Sequence, residues 1–313
     1  MKHLILKPHE MRNNRITPFK KVLLVGFLLL SGLPAWAQMR PGQIDIFAGV
    51  DFNYRDIFHN DRLYDVLINL TPGIKWNMRN RWEASAQVVI PVVNQFGEGF
   101  SNKVRLNMAV LSKQFPIKNR MKVKLSGGLF GASRYGLDVK SMWIANKWLA
   151  FTGQAGLTGY CSLASGWEAS TMKRLTFLIG PEFWLESWTT QMWIKAGRFI
   201  YGDYGVQAEA FRHFKHTSVG IFASYSDIGK ENAGFKIILA LPPYKRTRRK
   251  INFRPASNFR LTYNVSSDYY SNRQYFTDPE QNERNGWFDR DMLPWGPDTM
   301  SPDFIYKDRK EER

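Results

Sequence analysis

The chain has a single cysteine, Cys161, in 313 residues, so no intramolecular disulfide can brace it. Beyond its first forty residues it also lacks any apolar run close to the ~20 residues that a membrane-spanning helix needs. Passage of the remaining chain through a bilayer by helices is thereby excluded. Strands closed into a barrel remain open to it, because closure satisfies every backbone N–H and C=O inside hydrocarbon. Acidic residues are in deficit too: 27 Asp and Glu stand against 44 Lys and Arg, for a net charge of +17. Apolar residues are not scarce; at 44% they set the chain apart from disordered sequences.

What is present begins with an export pattern. Lys20 and Lys21 precede the apolar run from Val22 to Leu30, and Ala35-Trp36-Ala37 supplies an A-x-A cleavage site. Together these read as a signal peptide over residues 1–37, with translation starting at Met1 or at Met11. Cys161 does not follow the cleavage site, so no lipid-modified cysteine is expected there. Removing residues 1–37 takes away six Lys/Arg and one Glu, and the exported chain carries +12. Outside the cytoplasm the expected partners of such a charge are outer-membrane lipid, lipopolysaccharide or an anionic polysaccharide, and not nucleic acid.

The exported part alternates with period two. Ile44, Ile46, Ala48, Val50, Phe52 and Tyr54 alternate with a set that includes Asp45, Asp51 and Asn53. Trp82, Ala84, Ala86, Val88 and Ile90 face away from Glu83, Ser85, Gln87 and Val89; Val104, Leu106, Met108 and Val110 face away from Arg105, Asn107 and Ala109. Met121, Val123 and Leu125 oppose Lys122, Lys124 and Ser126, and Val219, Ile221, Ala223 and Tyr225 oppose Ser218, Gly220, Phe222 and Ser224. With similar runs elsewhere, about twelve strands of roughly ten residues result, the length of a tilted membrane strand. Turn residues such as Met78-Arg79-Asn80-Arg81 and Tyr201-Gly202-Asp203-Tyr204 separate them, so neighbours pair as hairpins.

A soluble sandwich alternates as well, and tryptophan discriminates. Trp76, Trp82, Trp143, Trp148, Trp167, Trp184, Trp188 and Trp193 fall mostly near strand ends, where an aromatic girdle sits. Repeated strand glycines (Gly153, Gly156, Gly159) and the export signal add to the preference for a barrel. The expected fold is therefore all-β: an antiparallel transmembrane β-barrel over residues 38–244, closing near Leu241, followed by a basic and aromatic C-terminal extension over 245–313, partly disordered.

Strand parity sends Glu83, Gln87, Arg105, Asn107, Lys122, Lys124, Lys195, Gln207, Glu209 and Lys236 into the lumen, which would then lean basic. Two readings follow: a surface for an anionic glycan, or pairing of Glu83 and Glu209 with the basic residues to fill a narrow barrel. His213, His216 and Ser218, with Asp203 nearby, invite a hydrolase reading, but no nucleophile elbow or triad spacing accompanies them and turn roles fit better. Gly97-Glu98-Gly99 and Gly127-Gly128 lack the lysine and helix of a phosphate loop. No cluster has metal-ligand spacing, so neither metal nor cofactor is expected.

The stretch from Ile194 through Lys195-Ala196-Gly197-Arg198 and Gly202-Asp203-x-Gly205 to Arg212, Val219-Gly220 and Gly234-Phe235-Lys236-Ile237 resembles the closing strands of the YjbH family of outer-membrane proteins. The likeness covers roughly residues 190–245. It departs from the family in lacking the lipoprotein cysteine and in being much shorter than its long members. The resemblance implies a place in exopolysaccharide or capsule export, with export-system proteins as partners and Arg198, Gly202, Asp203, Gly205 and Arg212 as structural motif residues. A porin without substrate preference and a barrel hydrolase are the alternatives.

Overall fold

A strand with one apolar and one polar face pairs antiparallel with its sequence neighbour when the turn between them is short. A computed structural model describes residues 42–59, 62–96, 102–117, 121–146, 148–163, 168–214, 217–228, 231–240, 250–256, 258–265 and 274–279, and this pairing runs through it in a full circle. In chain order the strands are β1 (Ile44–Ala48), β2 (Val50–His59), β3 (Arg62–Leu70), β4 (Gly73–Asn77), β5 (Trp82–Asn94) and β6 (Arg105–Ile117). Then come β7 (Met121–Phe130), β8 (Arg134–Ile144), β9 (Leu149–Ser162), the short β10 (Glu168–Ala169) and β11 (Arg174–Leu185). The series ends with β12 (Thr190–Arg198), β13 (Tyr204–His213), β14 (Thr217–Ser226), β15 (Asn232–Ala240), β16 (Ile251–Pro255) and β17 (Asn258–Asn264). The signal-peptide reading of residues 1–37 falls outside the described residues.

Three staves are each made of two strands: β1 with β2, interrupted at Gly49; β3 with β4, which share β5 as neighbour; and β16 with β17. With these joined, and β10 a short flap on the end of β9, the sheet is a closed barrel of thirteen staves. The all-β barrel read from the sequence is thus present, with one stave more than the twelve or so counted. The extra stave lies in the segment assigned to the C-terminal extension: β17 pairs antiparallel with β15 and parallel with β2, and β16 pairs parallel with β1. Closure at residue 244 is corrected accordingly. The reason is topological. In an up-and-down series an odd number of staves makes the first and last point the same way, so the seam has to be parallel. Residues 251–264 are poor in aliphatics, yet Ile251 and Phe253 face outward while Asn252, Thr262 and Asn264 are buried.

Polarity is inverted relative to a water-soluble core. Leu125, Val139, Ile179, Ile194, Ile221 and Leu239 are exposed on the outer wall, and Asp45, Gln87, Lys124, Asp138, Glu209 and Lys236 are buried inside. Parity holds in β1, β2, β5, β7 and β14 but fails along β6. Met108 and Val110, assigned outward, are buried in the lumen, and Leu111 is exposed. A bulge is the cause: Gln87 pairs with Met108 while Val88 pairs with Leu106, so Asn107 is an extra residue and the alternation changes face.

Aromatics mark both rims. Exposed Trp76, Trp82, Trp143, Trp148 and Trp188 all lie at the rim where β4, β8 and β11 end and β5, β9 and β12 begin. Exposed Tyr64, Tyr160, Tyr201, Tyr204 and Tyr225 lie at the opposite rim. Two of the eight tryptophans assigned to a girdle belong inside instead: Trp193 is buried, and Trp184 packs against the buried His213. Trp167 lies outside the described residues. Strands such as β7 and β13, ten residues long, separate the two rims by about 26 Å at the usual barrel tilt.

Candidate functional site: the lumen

The inward residues of neighbouring staves meet in pairs, because antiparallel register sets opposite side chains about 5 Å apart on the same face. The centre of the lumen is an ion network. Lys124 on β7 reaches Glu83 on β5 at 3.2 Å and Asp278 at 3.0 Å, and Lys75 on β4 reaches the same two carboxylates at 3.2 and 3.6 Å. Asp278 comes from residues 274–279, which follow the thirteenth stave and lie inside the barrel. Tyr275 of this segment stacks on Phe130 with ring centroids 5.3 Å apart and donates to Asp138 Oδ1 at 2.6 Å. Gln154 donates to the same oxygen at 2.9 Å, and the Gly131 amide donates to the Phe276 carbonyl at 2.9 Å.

Gly156 belongs to this arrangement. A Cβ there would run into the Tyr275 hydroxyl, so the strand glycine makes room for the inserted segment. Met108, Val110, Phe130 and Ile200 form the apolar cluster against which Tyr275 and Phe276 pack.

A second ion pair joins Lys236 on β15 to Glu209 on β13, with the ammonium 4.8 Å from the centre of the Phe222 ring. Of the other lumen assignments, Gln87 accepts from Asn107 at 3.1 Å, and Gln207 is fully buried. Lys195 is half-buried over Trp193 at 4.9 Å. Lys122 is half-buried near the start of β7, and Arg105, half-buried at the start of β6, donates to the Lys103 carbonyl at 3.4 Å. The expected basic lean is absent from the fully buried set: among the described residues it holds Asp45, Asp65, Asp138, Glu182, Asp203, Glu209 and Asp278 against Lys75, Lys124, Lys140 and Lys236. Glu83 and Glu209 pair with lysines, the second of the two readings, because a charge in a confined lumen is costly without a partner.

The motif residues build one hairpin. Gly202 has φ +93°, its amide donates to the Phe199 carbonyl, and the Phe199 amide donates to the Asp203 carbonyl. Arg198 donates to the Gly202 carbonyl at 3.2 Å and lies over Tyr204 at 5.8 Å. Asp203 is fully buried, and Gly205 packs where a Cβ would strike the Tyr225 carbonyl. Arg212 stands at the opposite rim, exposed over Phe214 at 5.5 Å, because Arg198 is paired with Tyr204 and Arg212 with Thr190. Arg212 and Asp203 therefore lie at opposite rims of the barrel.

His213 and Ser218 do meet: Nδ1 and Oγ are 2.7 Å apart, both buried at the tryptophan rim, with the imidazole stacked on Phe211. His216 lies outside the described residues. Lys75, Asp138, Tyr275 and Asp278 were not among the residues picked from sequence. Parity along β8 points Asp138 inward, but nothing in the sequence ties Tyr275 and Asp278 to strands 130 residues or more away. No family model and no curated protein matches the chain.

Proposed function

We propose that the protein is an outer-membrane β-barrel of a Gram-negative envelope and that it acts without catalysis in exopolysaccharide or capsule export or surface retention. The inverted polarity carries the membrane reading. An apolar band about 25 Å tall around a ring of about 13 Å backbone radius covers on the order of 2,000 Å². A soluble monomer leaves no more than a few hundred Å² of contiguous apolar surface in water. Tyrosines at one rim and tryptophans at the other suit the two headgroup layers. Outer-membrane fractionation with heat-modifiable gel mobility tests this reading; a chain that stays soluble and migrates identically when boiled removes it.

The role in polysaccharide export rests on the likeness of residues 190–245 to the YjbH closing strands, together with the +12 charge. Deleting the gene in a polymer-producing strain and measuring surface polysaccharide tests it, and unchanged export would end it. Hydrolysis of lipid or glycan is a second reading, favoured by the contact between His213 and Ser218.

A further inference from the structure

Arginines from three staves converge on a single turn at the tyrosine rim. The turn between β12 and β13 offers three consecutive carbonyls, and each takes one guanidinium. Arg134 Nη2 of β8 donates to Ile200 at 3.3 Å, Arg174 Nη1 of β11 to Tyr201 at 3.0 Å and Arg198 Nε of β12 to Gly202 at 3.2 Å. Gly202 lets them close in: a Cβ there would run into Nη1 of Arg174 and stand 3.4 Å from Nη2 of Arg198, so two guanidiniums meet over one glycine. Among the described residues none of the three arginines has a carboxylate within ion-pair distance. Asp203 of the same turn is buried, and Asp227 accepts from the Tyr204 amide at 2.8 Å. Arg134 Nε is buried with no hydrogen-bond partner among the described residues. The carbonyls use one N–H of each guanidinium and hold it in place, which leaves a preorganised set of donors for an anion with several oxygens.

The wall below the arginines selects the anion. Phe177, Ile179, Ile194 and Val206 are exposed on the outer face and continue downward from Arg198 on β11, β12 and β13. Phe177 meets Tyr204 edge to face, and Arg198 lies over the same Tyr204 ring at 5.8 Å. A soluble anion uses only the arginines; a phosphate that carries acyl chains uses both the cations and the apolar column. Loop lengths assign the leaflet. Connections at the tyrosine rim include 95–104 and 163–173, while 78–81, 118–120, 145–148, 186–189 and 214–216 at the tryptophan rim are three or four residues long, 241–250 being the exception. Outer-membrane barrels keep short turns on the periplasmic side and longer loops outside. The arginines therefore stand at the headgroups of the outer leaflet, where the lipid is lipopolysaccharide and its glucosamines carry phosphate.

We propose that Arg174 and Arg198, backed by Arg134, bind a phosphate of the lipid A part of lipopolysaccharide, with its acyl chains laid against the wall of β11 to β13. This rests on the membrane-barrel reading. The test titrates bisphosphorylated lipid A into the full chain refolded in detergent micelles, with bound lipid counted by native mass spectrometry and folding verified by heat-modifiable mobility. The wild type should hold one lipid A at least about tenfold more tightly than the same lipid stripped of its phosphates. Arg174→Gln/Arg198→Gln should lose at least about tenfold in affinity for the phosphorylated lipid, and Arg212→Gln at the other rim should bind as the wild type does. Inorganic phosphate in excess should not displace the lipid. Equal binding of phosphorylated and dephosphorylated lipid A by the wild type overturns the site, whether or not the double variant folds. So does a folded double variant that binds like the wild type, or an equal loss in Arg212→Gln. Displacement by inorganic phosphate overturns the lipid as ligand. A wild-type chain whose mobility does not change on boiling refutes the membrane reading instead.

Discussion

Replacing Lys124 with Met keeps the reach of the side chain and removes its charge from the middle of the lumen. The ammonium is almost fully buried, 3.0 Å from Asp278 and 3.2 Å from Glu83. At an effective dielectric of about 20, each contact is worth about 5 kcal/mol before desolvation is subtracted. The substitution takes one cation away from two buried carboxylates that Lys75 also reaches. Breaking a buried ion pair from one side costs about 3–5 kcal/mol, and that is the expected loss for Lys124→Met. Urea unfolding in detergent micelles, followed by tryptophan fluorescence and by gel mobility, measures it. Asp278→Asn in the Lys124→Met background should cost at least about 1.5 kcal/mol less than in the wild type, because the two residues share one network. A loss below about 1 kcal/mol, or single costs that add within about 0.5 kcal/mol, would refute the claim that Lys124 and Asp278 hold the segment in the barrel.

Three further substitutions address the wall and the rim. Ile179→Lys, at an outward position 63% exposed in the middle of β11, should cost about 2–4 kcal/mol of folding into lipid vesicles, while Tyr201→Lys at the rim should cost under about 1 kcal/mol. Equal costs at the two positions would contradict a bilayer around the barrel. Thr262→Pro removes an N–H from β17, where Thr262 lies between Lys236 and Asn53, and should abolish the heat-modifiable form; full retention would mean the parallel seam does not close the barrel. Ser218→Ala should leave polysaccharide export unchanged, and purified wild-type protein should turn over neither phospholipid nor glycan ester. Turnover lost with Ser218→Ala would establish the hydrolase reading in place of the non-catalytic one.

The strands were legible where alternation was unbroken. In β5, β7 and β14 each apolar residue at every second position has the exposure that parity assigns to it, since a strand has only two faces. Lys124, Glu83, Glu209 and Lys236 were placed in the lumen by that rule, but their pairing was not, because it depends on which staves are neighbours and in what register. Along β6 the rule broke at one extra residue, a bulge set by the partner strand. The tryptophans divide on the same point: five sit outside at one rim, and Trp193 follows the inward parity of its strand.

The sequence by itself determined the all-β wall, the two faces of each strand and most of the hairpins, because those depend on neighbours within about a dozen residues. Tertiary structure alone decided three things. The odd, parallel seam joins β17 to β2 across more than 200 residues, the bulge moves Met108 and Val110 indoors, and Asp278 sits between Lys75 and Lys124. Each of these is a long-range contact of a short or weakly patterned segment. What fixes it is the space, the open edge or the charge that the rest of the barrel presents, and local periodicity carries no trace of any of the three.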